Sequence, residues 1–151
     1  MPQMNTVHAS IEIAARPEAV FDTVLDPGRF GEWVTIHRSA RWDTGSELRP
    51  GMEMEQTLQI HGVPFKVHWT LVNAKRPHFV EWHGRGPALS KAVTRYELSG
   101  PEDGPTTFTY FNEFHTPGGV LAAVAQRAML GTVAQREAQS SLQRLKQLLE
   151  V

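Results

Sequence analysis

The sequence predicts an α+β fold: a curved antiparallel sheet of about seven strands around a long C-terminal helix, with two short helices after strand 1. Three observations carry that expectation. Short runs of alternating polar and apolar residues recur from Val7 to His115. A Pro-Glu helix start, Arg16-Pro17-Glu18, follows the first run at once. After Thr116-Pro117-Gly118-Gly119 the chain then runs about thirty residues without a proline.

In the first run Val7, Ala9, Ile11 and Ile13 alternate with His8, Ser10 and Glu12, the pattern of a half-buried strand. Pro17 suits the first turn of the helix that follows, and Glu18 favours its positive dipole end. Val20, Phe21, Val24 and Leu25 form its apolar stripe, and Asp26-Pro27-Gly28 stops it and caps a second short helix carrying Phe30 and Trp33. A weaker strand is expected around His37 to Trp42, then a turn at Arg49-Pro50-Gly51. Met52, Met54, Gln56, Leu58 and Ile60 share one strand face, and His61-Gly62 turns the chain. Phe65, Val67, Trp69 and Leu71 share the next, and Lys75-Arg76-Pro77-His78 turns it again. Phe79 to His83 puts Val80 and Trp82 on one side. Gly84-Arg85-Gly86 lacks the third glycine of a phosphate-binding loop and reads as a bend or bulge. Thr94, Tyr96 and Leu98 face opposite Arg95 and Glu97, and Phe108, Tyr110, Asn112 and Phe114 face opposite Thr109, Phe111, Glu113 and His115. Between those two strands, Gly100-Pro101-Glu102-Asp103-Gly104-Pro105 is an exposed hairpin loop.

The last quarter covers this sheet. At helical spacing Leu121, Val124, Ala128, Gly131, Gln135, Ala138, Leu142, Leu145 and Leu149 share a side. Three leucines end the stripe, whereas its middle is small or polar. That profile suits a lid-helix anchored by its C-terminal turns, with its middle facing a hollow. A glycine allowing close helix–sheet contact, or a dimer seam, is the competing reading; monomer and homodimer both stay open.

A chain of 151 residues is expected to form a single domain over 1–151. Its 40% hydrophobic and 21% charged content is that of a soluble globule. A formal net charge of -1 gives no electrostatic footprint for nucleic acid, so no nucleic-acid partner is expected. The absence of cysteine removes disulfides, thiol nucleophiles and thiolate metal sites, and fits a cytoplasmic setting. Met1 to Asn5 lacks the basic segment and apolar run of a signal peptide, and the longest aliphatic run, Val120 to Ala125, is too short for a membrane span.

No catalytic constellation stands out. His8, His61, His68, His83 and His115 fall in the polar register of their strands or at strand ends; His37 and His78 are placed in loops. No His-Glu-x-x-His pair and no Gly-x-Ser-x-Gly elbow occurs. Asp22 and Glu32 lie on the small helices and are read as solvated. Metal and cofactor are both expected to be none, and the catalytic residues stay unknown. The inward register supplies Gln56, Thr94, Tyr96, Tyr110 and Asn112, joined by Gln135 from the helix, with Trp69 and Trp82 as broad apolar surface. Polar groups buried there persist by bonding one another, a water or a ligand. None of them titrates near neutrality, which favours binding over acid–base chemistry.

The order of elements resembles the START/pollen-allergen (SRPBCC) superfamily in its polyketide cyclase/dehydrase-like branch, whose fold is the helix-grip. Ile11-Glu12-Ile13-Ala14-Ala15-Arg16-Pro17-Glu18-Ala19-Val20-Phe21 resembles that family's strand, Pro-Glu and first helix. Leu25-Asp26-Pro27 through Glu32-Trp33 resembles its second helix, Thr106-Thr107-Phe108-Thr109-Tyr110 its last strand and Ser141 to Lys146 its helix end. The likeness covers nearly the whole chain and is structural. It implies lipid and hormone carriers, aromatic polyketide cyclases, coenzyme Q-binding proteins and chaperone activators as relatives. The expected function is binding of a small hydrophobic ligand (lipid, isoprenoid or polyketide) by Gln56, Trp69, Trp82, Tyr96, Tyr110, Asn112, Gly131 and Gln135. The alternatives are a polyketide cyclase/dehydratase-type enzyme, with Tyr110 or Tyr96 donating to a developing enolate, and a protein-interaction module using Val120 to Met129.

Overall fold

The computed structural model describes residues 3–43, 48–60, 62–116 and 132–150. Strand β1 (Gln3–Ile13) leads into helices α1 (Pro17–Leu25) and α2 (Phe30–Trp33). Six strands follow: β2 (His37–Trp42), β3 (Glu53–Ile60), β4 (Val63–Lys75), β5 (Phe79–Arg85), β6 (Lys91–Ser99) and β7 (Thr106–Thr116). The C-terminal helix, α3, is described over Thr132–Leu149. The strands form one sheet in the order β1-β7-β6-β5-β4-β3-β2, antiparallel throughout. This is the helix-grip α+β arrangement. Consecutive strands pair as hairpins, and the chain's first strand closes against its last, with Ala9 opposite Tyr110 and Ile13 opposite Thr106.

Helix α1 starts at Pro17 and buries Val20, Phe21, Val24 and Leu25. The residue before a proline is pushed out of the helical region, so the helix stops at Asp26, whose backbone is extended. The Asp26 carboxylate then accepts a bond from the Gly28 amide at 2.9 Å and starts the turn into α2. Helix α2 is one turn long and places Phe30 and Trp33 in the core. The Trp33 ring meets Tyr96 and Phe108 edge-on, with centroids 6.1 and 6.2 Å apart.

Period-two alternation sets the sheet's inner face. Met54, Leu58, Val67, Trp69, Leu71, Val80, Trp82, Tyr96, Leu98 and Phe108 are buried, together with the polar Gln56, Thr94 and Asn112. Gly84 is not the bend that the glycine pair suggested. It is a regular ladder residue, opposite Trp69 on one side and Ala92 on the other. Its missing side chain leaves room for the Trp69 ring, since a Cβ there would lie 2.6 Å from that ring. The irregularity lies on the neighbouring strand, between Leu71 and Asn73.

Helix α3 crosses this face and is fastened at its C-terminal end. Leu142 and Leu145 are buried, Leu145 completely. Lys146 donates to the Glu12 carbonyl at 2.9 Å and to Glu150 at 2.6 Å, and Glu150 accepts from the Ala14 amide at 2.7 Å. The Lys146 ammonium and the Ala14 amide hold the Glu150 carboxyl below the usual carboxylate range. Leu145→Ala is expected to cost about 2–5 kcal/mol in denaturant titration. A loss below about 1 kcal/mol would mean that the helix end does not pack on the sheet.

Candidate functional site

Between the sheet and α3 lies a cavity of about 230 Å³. Its walls are mostly apolar: Leu58, Val67, Trp69 and Trp82 from the sheet, Trp33 and Val34 from the small helix and its exit, and Ala134, Ala138 and Leu142 from α3. Alanine at 134 and 138 and serine at 141 keep the helix thin where it faces the sheet, and the hollow follows from that.

Two polar clusters reach the cavity from the sheet. In the first, the Trp69 indole N–H donates to Gln56 Oε1 at 2.9 Å, and the Gln56 amide lies 2.9 Å from His37 Nδ1. The amide nitrogen can only donate, so Nδ1 accepts and the imidazole proton sits on Nε2. In the second, the Thr94 hydroxyl donates to Asn112 Oδ1 at 3.2 Å, and Asn112 Nδ2 donates to the Tyr110 hydroxyl at 3.1 Å. Tyr110 accepts there, so its own proton is left to donate elsewhere. Tyr96 stacks obliquely beside it, with ring centroids 6.0 Å apart. Burial pushes the Tyr110 hydroxyl up to about 12, against the lowering effect of the Asn112 amide. Burial, then the neighbouring Tyr110, raises Tyr96 as well. Both phenols are neutral donors at physiological pH.

A third cluster comes from α3. Glu137 and Ser141 line the cavity one helical turn apart, and both bind Thr35, in the segment between α2 and β2. The Thr35 amide donates to Ser141 Oγ at 3.0 Å, and its hydroxyl donates to a Glu137 carboxylate oxygen. Thr35 thereby ties α3 to the small helices at the cavity's edge.

Of the eight residues singled out from the sequence, Gln56, Trp69, Trp82, Tyr96, Tyr110 and Asn112 line this cavity. Gln135 does not. Its side chain turns to the edge strand β1, donating to the His8 carbonyl at 2.8 Å and accepting from the His8 amide at 3.4 Å. The inward face of α3 is centred on Ala134, Ala138 and Ser141, which leaves Gln135 on the flank. Gly131 and the Val120 to Met129 segment lie outside the described residues, as does His61. His37 opens β2, at the start of the strand expected over His37 to Trp42 and not in the loop also expected for it, and it is half-buried against Phe30 and Gln56. His68, His83 and His115 pair with Glu53, Glu81 and Glu113 on the outer face, at 3.4, 2.7 and 3.0 Å. Among the described residues no group of three or more histidine or carboxylate side chains could hold a metal ion, and no helix is long and apolar enough to cross a membrane. Two residues that the sequence pattern did not mark, Glu137 and Ser141, contribute to the cavity wall. The only signal for Glu137 was its place one residue before the stripe residue Ala138.

A profile of proteins described as polyketide cyclase / dehydrase and lipid transport matches residues 4–150. A Mycobacterium tuberculosis protein named Toxin Rv0910 is 30% identical over 83 residues, which is 55% of this chain and 58% of that protein's own length. Among solved structures, the Zhui aromatase/cyclase from Streptomyces sp. R1128 superposes with a TM-score of 0.80 over 98% of this chain and 94% of its own, at 12% identity. A conserved protein from Geobacillus kaustophilus superposes with a TM-score of 0.72 over 96% and 95%, at 20% identity. At such identities these two likenesses are of fold.

The His37 cluster makes a pH prediction. Burial holds the His37 imidazole below its ordinary value of 6.5. As the pH falls, the unfolded chain therefore takes up this proton before the folded one does, and stability is lost from about 6.5 downwards. Urea titrations at about pH 7.5 and about pH 5.5 are expected to show a larger loss for the wild type than for His37→Asn. Equal losses would contradict this assignment.

Proposed function

The chain belongs to the polyketide cyclase / dehydrase and lipid transport family, and from that premise we propose that it binds a small, largely uncharged hydrophobic molecule between the sheet and α3. The observation that carries this reading is the cavity itself. It is apolar over most of its wall, and its few polar groups are spread over three clusters instead of being assembled around one nucleophile. Affinity would come from apolar burial, at roughly 25 cal/mol per Å². Orientation would come from the Tyr110 and Tyr96 hydroxyls.

One observation favours a second reading, a cyclase- or dehydratase-type enzyme. The cavity has a carboxylate on one wall, Glu137, and phenol donors on the other, Tyr96 and Tyr110. A base beside a carbonyl carbon and donors at the carbonyl oxygen are the groups that proton abstraction needs. The Zhui aromatase/cyclase has the same fold.

Organic extraction of the purified protein followed by mass spectrometry, with Nile red titration monitored by its own emission, tests the binding reading. Wild type is expected to take up Nile red saturably. Ala134→Phe, which puts a ring into the cavity from α3, is expected to weaken uptake by about tenfold or more. Saturable uptake that Ala134→Phe leaves unchanged would place binding elsewhere. Turnover of a cyclisable poly-ketone analogue, lost in Tyr110→Phe, would instead favour the second reading.

A further inference from the structure

We propose that Glu137 is the specificity-determining group of the cavity. It would select a neutral ligand that carries a hydrogen-bond donor for its carboxylate and a carbonyl-type acceptor for Tyr110, and it would turn fatty acids away. The inference rests on the binding reading above and narrows it to a chemical class.

The unused hydrogen-bonding capacity of the wall carries this inference. On the sheet side, the Tyr110 oxygen already accepts the Asn112 amide, so what it offers a guest is its proton. The Tyr96 hydroxyl has no hydrogen-bond partner among the described residues and offers its proton as well. Two donors side by side call for an acceptor, and a ketone or quinone oxygen supplies one without charge. On the helix side the demand is reversed. Glu137 has one carboxylate oxygen bound by Thr35, and among the described residues no lysine, arginine or histidine pairs with it. Its other oxygen is an acceptor that calls for a hydroxyl or an N–H.

A ligand carboxylate can accept from the phenols, but it offers the Glu137 oxygen no donor and brings a second negative charge into the same cavity. Placed near Glu137 it sets two like charges in a poorly solvated space, which is strongly unfavourable. A fatty acid could avoid this by entering tail first and leaving its head near Lys91, an exposed residue of the cavity's lining. Its aliphatic tail would then cover the Glu137 carboxylate and two phenols with nothing for them to bond, and unmet buried polar groups of that kind are costly. A neutral guest with an oxygen at each end meets the open groups of Glu137, Tyr96 and Tyr110.

The test is a matched panel that displaces Nile red: an acetylnaphthol, with one ketone and one hydroxyl; acetylnaphthalene, with the ketone alone; naphthoate; and myristate. Wild type is expected to bind the acetylnaphthol about tenfold or more tighter than the other three. Glu137→Gln, which keeps size and removes charge, is expected to narrow the gap to naphthoate and myristate at least about threefold. Naphthoate or myristate binding wild type as tightly as the acetylnaphthol would overturn the proposal, whatever the variant does. So would a Glu137→Gln protein that still binds Nile red but keeps the wild-type ratios. If wild type does not bind Nile red at all, the cavity reading itself fails, and this inference fails with it.

Discussion

One helix has to cover the concave face of a seven-stranded sheet, and it is fastened there at its C-terminal end. Leu145 is fully buried, and Lys146 and Glu150 bond the backbone where β1 runs into α1. One to three turns earlier, the residues turned toward the sheet are Ala134, Ala138 and Ser141, too small to fill the space beneath them. Close packing would have required leucine or phenylalanine at those positions. The sheet contributes wide rings instead, and Trp69 and Trp82 shape the hollow without closing it.

The polar groups of the interior make sense only within that geometry. The Gln56 amide is held at both ends, by Trp69 and by His37, so it stiffens one wall. The Thr94–Asn112–Tyr110 chain is held at one end and open at the other. Glu137 is likewise half engaged, through Thr35. A protein selected for stability alone would gain from apolar residues of similar volume at these sites. Half-used donors and acceptors facing a shared space are what a binding cavity requires.

Much of this could be read from the residues. Strict alternation along β3, β4, β6 and β7 put Gln56, Trp69, Tyr96, Tyr110 and Asn112 on the inner face, because a strand's period of two leaves no ambiguity of phase. Asp26-Pro27 marked the break between the small helices for a local reason, the effect of proline on the preceding residue. Helix phase was less legible. A stripe read at three- and four-residue steps drifts around the cylinder, and Gln135 fell on the β1 flank while Glu137 came round to the cavity. His37 was misjudged because its partner Gln56 lies nineteen positions away, and only the β2–β3 pairing brings the two together. Gly84 was misread because its role is to admit the Trp69 ring from a neighbouring strand, a contact with no local signature.

Crystals of the protein held under xenon pressure probe the central claim directly, since xenon enters apolar cavities and needs no knowledge of the natural ligand. A xenon peak among Val67, Trp82 and Ala138 is expected, at the hollow between sheet and helix. A structure with that space packed by side chains, and no xenon between β4–β5 and α3, would contradict it.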